Sequence, residues 1–205
     1  MQDREIGKTG GPGLPSRSKK SRSIFIMKRL LPLSAALLLA AFLLSALTEA
    51  KMEKTGTLAI KSPAFEENRD IPTEYTCEGR NINPPLVIEN IPAGAKSLAL
   101  IVIDPDAPSG TWTHWLVWNI PPETREIKAN SVPSGASQGL NDARKKGYYG
   151  PCPPSGIHHY IFKLYALDAK LDLKDPGIKR AELERAIRGH VISETEITGL
   201  YGRRR

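Results

Sequence analysis

Seventeen prolines in 205 residues set the first limit on this chain. A proline fixes its own φ and lacks a backbone N–H, so helix interiors and central strands exclude it. Here the prolines cluster, as in Pro84-Pro85, Pro121-Pro122 and Pro151, Pro153 and Pro154, between short runs rich in Val, Ile, Leu and aromatic residues. Such runs read as strands, expected at 57–61, 86–88, 97–104, 114–120 and 159–166, with a last short one at 195–201. The runs SLALIVI and WLVWNI lack polar alternation and are expected to be central strands covered on both faces. One helix is expected, at 179–188, with Leu183, Ala186 and Ile187 on its apolar face and Gly189 ending it. The fold class is therefore all-β with a small C-terminal helical supplement.

The first 50 residues read as targeting sequence rather than fold. Lys28-Arg29 precede an apolar run at 30–47, and Thr48-Glu49-Ala50 offers small residues for cleavage before Lys51. The expected plan is an upstream extension plus signal peptide over 1–50, cleaved after Ala50, and one domain over 51–205. Translation starting at Met27 is one reading of the extension; an uncleaved anchor is the alternative for 30–47. Either way the domain is expected in the periplasm or secreted, touching membrane only transiently unless the segment is uncut. Charge supports this division. Eight of 29 basic and three of 22 acidic residues lie in 1–50, which leaves 21 and 19 in the body of the chain. A body charge of +2 without a basic, aromatic-laced stripe argues against nucleic acid as a partner.

Two segments, 104–121 (DPDAPSGTWTHWLVWNIP) and 147–168 (GYYGPCPPSGIHHYIFKLYALD), hold three of the four histidines and all three tryptophans. Each joins a Pro/Gly-rich loop to a hydrophobic strand. Asp104 ends the SLALIVI strand, and Pro105 and Pro108 stiffen the loop after it, so Asp104 and Asp106 read as preset acceptors for a ligand or for a histidine. His114 opens one strand and His158, His159 and Tyr160 open another. Strand alternation puts His158 and Tyr160 on one face and His159 on the other. Neighbouring strands would gather His114, His158, Tyr160, Asp104 and Asp106, with the Gly147–Gly150 turn offering N–H groups and Trp112 or Trp115 an apolar rim. Such a basin suits a phosphate-like anion carrying a nearby amine or hydroxyl. The polar stretch 124–146 reads either as one wall of this pocket or as a surface excursion. Cys77 and Cys152 lie in loop-like sequence, and their spacing leaves open whether they are bridged. There is no nucleophile elbow and no metal-ligand spacing, and Cys152 between prolines is a poor nucleophile. Binding without a cofactor, rather than enzymatic turnover, is the expectation.

The segments DPDAP, HW…NIP and GPCPPSGIHHYIFKLY, supported by TCEGRNINPPL and IPA, resemble the phosphatidylethanolamine-binding protein family, also called Raf kinase inhibitor-like, over about 56–201. The paired Cys77 and Cys152 point to its prokaryotic branch. The resemblance implies a Greek-key fold around a central antiparallel sheet. It also implies a pocket for phosphate or a phospholipid headgroup such as phosphoethanolamine, lined by Asp104, Asp106, Pro108, Trp112, His114, Gly150, His158 and Tyr160. The family's usual His-Arg-Tyr reads His158-His159-Tyr160 here, which puts in doubt any ion pair the arginine would make behind the pocket. Inhibition of a secreted protease through an exposed loop is the alternative function within the family.

Overall fold

The computed structural model describes residues 57–174 and 177–203. The expected signal segment and the cleavage after Ala50 lie outside them, as does Pro176 before the helix.

Every residue of β4 (Ser97–Asp104, the fourth strand in chain order) is buried, as the unbroken apolar run requires of a strand covered on both faces. It lies between β5 (Trp112–Ile120) and β8 (His158–Leu167), antiparallel to both. These three are joined by β2 (Arg69–Asp70), β7 (Ser137–Gln138) and β9 (Val191–Tyr201) in a large sheet of order β2-β9-β8-β4-β5-β7. β2 pairs in parallel with β9, the one parallel ladder among the described strands. A second sheet comprises β1 (Ala59–Lys61), β3 (Leu86–Glu89) and β6 (Glu126–Ile127), in that order. The two-residue strands β2, β6 and β7 carry no hydrophobic period and were not foreseen.

Strand alternation distributes the core into two layers. Leu98, Leu100 and Val102 of β4, with Phe162 and Leu164 of β8, meet Ile60, Leu86, Ile88 and Ile127 of the small sheet. The opposite face of the large sheet, through Ala99, Ile101, Leu116 and Trp118, meets the helix α1 (Arg180–Ile187). Leu183 and Ile187 are its buried positions, worth about 1.5–3 kcal/mol each by area burial. The Lys179 N–H donates to the Glu182 carboxylate at its start, and Gly189, at φ 86°, stops it. The expected architecture is what the chain adopts: mainly β with a small C-terminal helix.

β5 departs from a regular ladder in two places. Val102 pairs with Trp115 but Ile103 with Thr113, which leaves His114 as an extra residue in a β-bulge. A second extra residue falls between Ile120 and Val117, where Asn119 takes φ 55° and its carboxamide bonds both the N–H and the C=O of Leu171. The first bulge decides the site.

Candidate functional site

Without the bulge, His114 would share a face with Leu116 and Trp118, toward the helix. The extra residue re-aims it to the face of Trp115. Its ring there meets Tyr160, two strands away, edge to face at 5.1 Å. Backbone groups that the bulge removes from the ladder are paired elsewhere. Thr113 N–H donates to the Asp142 carboxylate at 2.7 Å, Asp142 N–H to Thr113 O at 3.0 Å, and Tyr149 N–H to His114 O at 3.0 Å. Asp142 is thus a positioning residue that a reading of motifs missed; it lies in the polar stretch.

A cavity of about 330 Å³ opens where β4 ends and β5 and β8 begin. Asp104, Pro108, Trp112, His114, Tyr149 and His158 line it, and Cys152, Pro153 and Pro154 close one side. Asp104, 3% exposed, accepts from His158 Nδ1–H at 2.7 Å through one oxygen, and from the Asp106 N–H at 2.8 Å through the other. A carboxylate only accepts, so Nδ1 carries the proton and Nε2 of His158 is the ring atom left for a ligand. His114 Nδ1–H likewise donates to Tyr149 O at 2.6 Å. Burial holds the His114 pKa below its ordinary value, against the Tyr149 carbonyl and the charges of Asp104 and Asp142, which act upward; His158 adds to the lowering. The neutral ring therefore presents an Nε2 lone pair. No lysine or arginine lines the cavity among the described residues.

The remaining expected site residues lie around this cavity rather than in its lining. Tyr160 sits beneath His114, 1% exposed, and its hydroxyl makes no hydrogen bond of regular geometry. Burial first, and then the charge of Asp104, raise its pKa. Asp106 turns outward: its carboxylate accepts both the His159 N–H at 2.8 Å and His159 Nδ1–H at 2.7 Å. Those hydrogen bonds, the backbone one foremost, hold its pKa below the ordinary carboxylate value. Both aspartates are thus preset acceptors for a histidine, and His159, facing away from the cavity as alternation requires, bonds the Asp next to the pocket.

Gly150 corrects the sequence reading. Its N–H, expected to face an anion, donates to Asn81 Oδ1 at 2.7 Å. A Cβ there would come within 2.5 Å of the Tyr75 carbonyl oxygen, so the residue serves close packing behind the wall. Trp115 is core, 1% exposed, whereas Trp112 is the rim residue. The stretch 124–146 contributes no lining residue to this cavity. Tyr149 does, though only its neighbours Gly147 and Gly150 stood out in the sequence; its position in the GYYGPCPP loop was the available signal.

Cys77 and Cys152 form a disulfide, with Cα atoms 5.4 Å apart and a sequence separation of 75. It ties the loop after the 3₁₀ turn Thr73–Tyr75 to the loop that walls the cavity. The Cys77 N–H also donates to Pro151 O at 3.1 Å, and the Arg203 guanidinium rests against the sulfurs.

Residues 61–202 match the family profile described as phosphatidylethanolamine-binding protein. A UPF0098 protein of the archaeon Methanothermobacter thermautotrophicus is 50% identical over 149 residues, covering 70% of this chain and 98% of the relative. One from the bacterium Aquifex aeolicus is 43% identical over 152 residues, 71% of this chain and 89% of the relative. Among solved structures, a phosphatidylethanolamine-binding protein homolog from Chlamydia trachomatis superposes with a TM-score of 0.69 at 40% identity, over 72% of this chain and 99% of that one. Escherichia coli YbcL, described as a new member of the mammalian family, gives 0.69 at 32% identity, over 73% and 100%. The profile match, the identities and the shared fold agree, and this chain is a member of the phosphatidylethanolamine-binding protein family.

Proposed function

We propose that this protein is exported and binds a small phosphate-type anion, in the form of a phospholipid headgroup such as phosphoethanolamine. The observation that carries the reading is the convergence of two imidazoles, each with Nδ1 fixed by a partner and Nε2 left over, on one cavity of about 330 Å³. Imidazolium N–H groups there would bind phosphoryl oxygens, and the Asp104 carboxylate would attract the ammonium of the headgroup. Trp112 and the prolines supply the apolar rim that such pockets use to exclude water. Export is supported by the signal-like run at 30–47 and by a disulfide that persists in oxidising compartments.

The test is a titration of the purified protein with phosphoethanolamine and with inorganic phosphate, read by tryptophan fluorescence from Trp112. Saturable binding that disappears in His158→Ala, with the fold retained by circular dichroism, is the expected result. Tighter binding of phosphoethanolamine than of phosphate would assign the ammonium to Asp104. No binding of either by the folded protein would reject the headgroup reading.

A further inference from the structure

A second cavity has a volume of about 230 Å³. His114 and Tyr149 line the anion pocket, while their chain neighbours Trp115 and Tyr148 line this one. The polar stretch that leaves the first cavity untouched supplies this one with Asn130, Ser131, Val132 and Gln138. Its chemistry differs. No lining residue is charged, and four carboxamide residues, Asn81, Asn83, Asn130 and Gln138, line it.

The orientation of two of them is set by their partners. Gln138 Oε1 accepts the Trp115 indole N–H at 2.8 Å, and Asn81 Oδ1 accepts the Gly150 N–H at 2.7 Å. Indole and amide N–H groups only donate, so the oxygen of each carboxamide must face them and each NH₂ is turned the other way. Among the described residues those NH₂ groups, and the whole Asn130 carboxamide, make no hydrogen bond. Asn83 differs: its NH₂ donates to Pro84 O and Lys128 O and its oxygen accepts the Ser131 N–H, which holds the 128–131 turn in place. The cavity therefore presents fixed, uncharged donors, one adaptable amide, and an apolar flank of Ile82, Val132 and the Tyr148 ring, itself set edge-on against Trp115 at 5.7 Å.

Uncharged donors beside an aromatic edge match a ligand rich in neutral oxygen acceptors with an apolar face. A charged ligand would lack a counter-charge, and a hydrocarbon would strand the amides. We propose that this cavity is a binding site for a neutral saccharide bearing an N-acyl group. The acyl carbonyl accepts from the fixed NH₂ donors of Gln138 and Asn81, its methyl lies against Ile82 and Val132, and ring hydroxyls exchange hydrogen bonds with Asn130. The volume suits one sugar ring, and about a dozen non-hydrogen atoms correspond to a Kd of about 1 mM.

The test uses the full chain and N,N′-diacetylchitobiose, with cellobiose and sodium phosphate as comparison ligands, observed through the three tryptophan indole N–H signals in proton–nitrogen spectra. Trp112→Phe and Trp118→Phe variants assign the signals. Diacetylchitobiose is expected to shift the Trp115 indole saturably and leave that of Trp112 in place, with cellobiose at least about tenfold weaker. Asn130→Gly, which keeps the left-handed backbone (φ 53°) and removes only the carboxamide, should weaken binding by about tenfold. No shift of the Trp115 signal, an undiminished shift in Asn130→Gly, or equal response to cellobiose would overturn the proposal. Phosphate, shifting Trp112 alone, reports the first pocket separately, so the two readings fail independently.

Discussion

Sulfate affinity for the anion pocket should fall about tenfold per pH unit as pH rises from the depressed free-state pKa of His114, below the ordinary value of about 6.5, to its bound-state value. Sulfate is the useful probe because, unlike phosphate, it does not titrate near neutrality. In the free pocket His114 is neutral: its Nδ1–H is engaged by the Tyr149 carbonyl, burial depresses its pKa, and Nε2 carries a lone pair. An anion cannot accept a hydrogen bond from a lone pair, so His114 must gain a proton on binding if it is to donate to one. Asp104 makes that proton necessary energetically as well. With no lysine or arginine in the lining among the described residues, a carboxylate about 4 Å from an anion costs about 4 kcal/mol per charge at an effective dielectric of 20, and an imidazolium at that distance offsets it. The sign comes from linkage. The complex holds one more proton than the free protein, so affinity declines as pH rises from the depressed free-state pKa to the raised bound-state one, at about 1.4 kcal/mol per pH unit. Calorimetry at fixed pH in two buffers of different ionisation enthalpy would count the protons, with about one expected per sulfate. The variant His114→Gln offers a permanent N–H donor and should flatten the slope if His114 takes the proton. Zero uptake and a pH-independent Kd in the wild type would refute the argument outright.

The wall of the cavity gives two further expected outcomes. Replacing both cysteines by serine opens a cross-link spanning 75 residues, which chain entropy values at about 4 kcal/mol. The urea midpoint should drop accordingly, and a loss under about 1 kcal/mol would mean that the two loops stay docked through contacts such as Cys77 N–H to Pro151 O alone. Gly150→Ala places a methyl within 2.5 Å of Tyr75 O and 2.8 Å of Asn81 Oδ1. It should cost about 1–3 kcal/mol in thermal or denaturant unfolding and weaken both cavities, because Gly150 follows Tyr149 of the first and holds Asn81 of the second; wild-type stability would contradict the packing described.

Much of this molecule was legible in one dimension. SLALIVI, uninterrupted by a polar residue, had to be a strand covered twice, and prolines had to lie outside it. The period-2 rule placed His158 and Tyr160 inward and His159 outward, as observed. A strand ending in an aspartate between two stiff loops, with histidines opening its neighbours, was enough to locate the pocket, because strand ends and rigid loops are local features. Short pairings such as β7 and the clip made by Asn83 were not legible, since two residues or one side chain carry no periodic signal.

What only the tertiary structure decided is which partner each polar group takes. Parity along β5 assigns His114 to the helix side; its pairing with β4 inserts a bulge there and turns it to the pocket. The Gly150 N–H looked available to an anion until Asn81, 69 residues away, was found to hold it, and Asp106 looked like a ligand group until His159 did the same. Residue type fixes how many hydrogen bonds a group must make. With whom it makes them depends on strand register and loop docking, which are global properties of the packed chain.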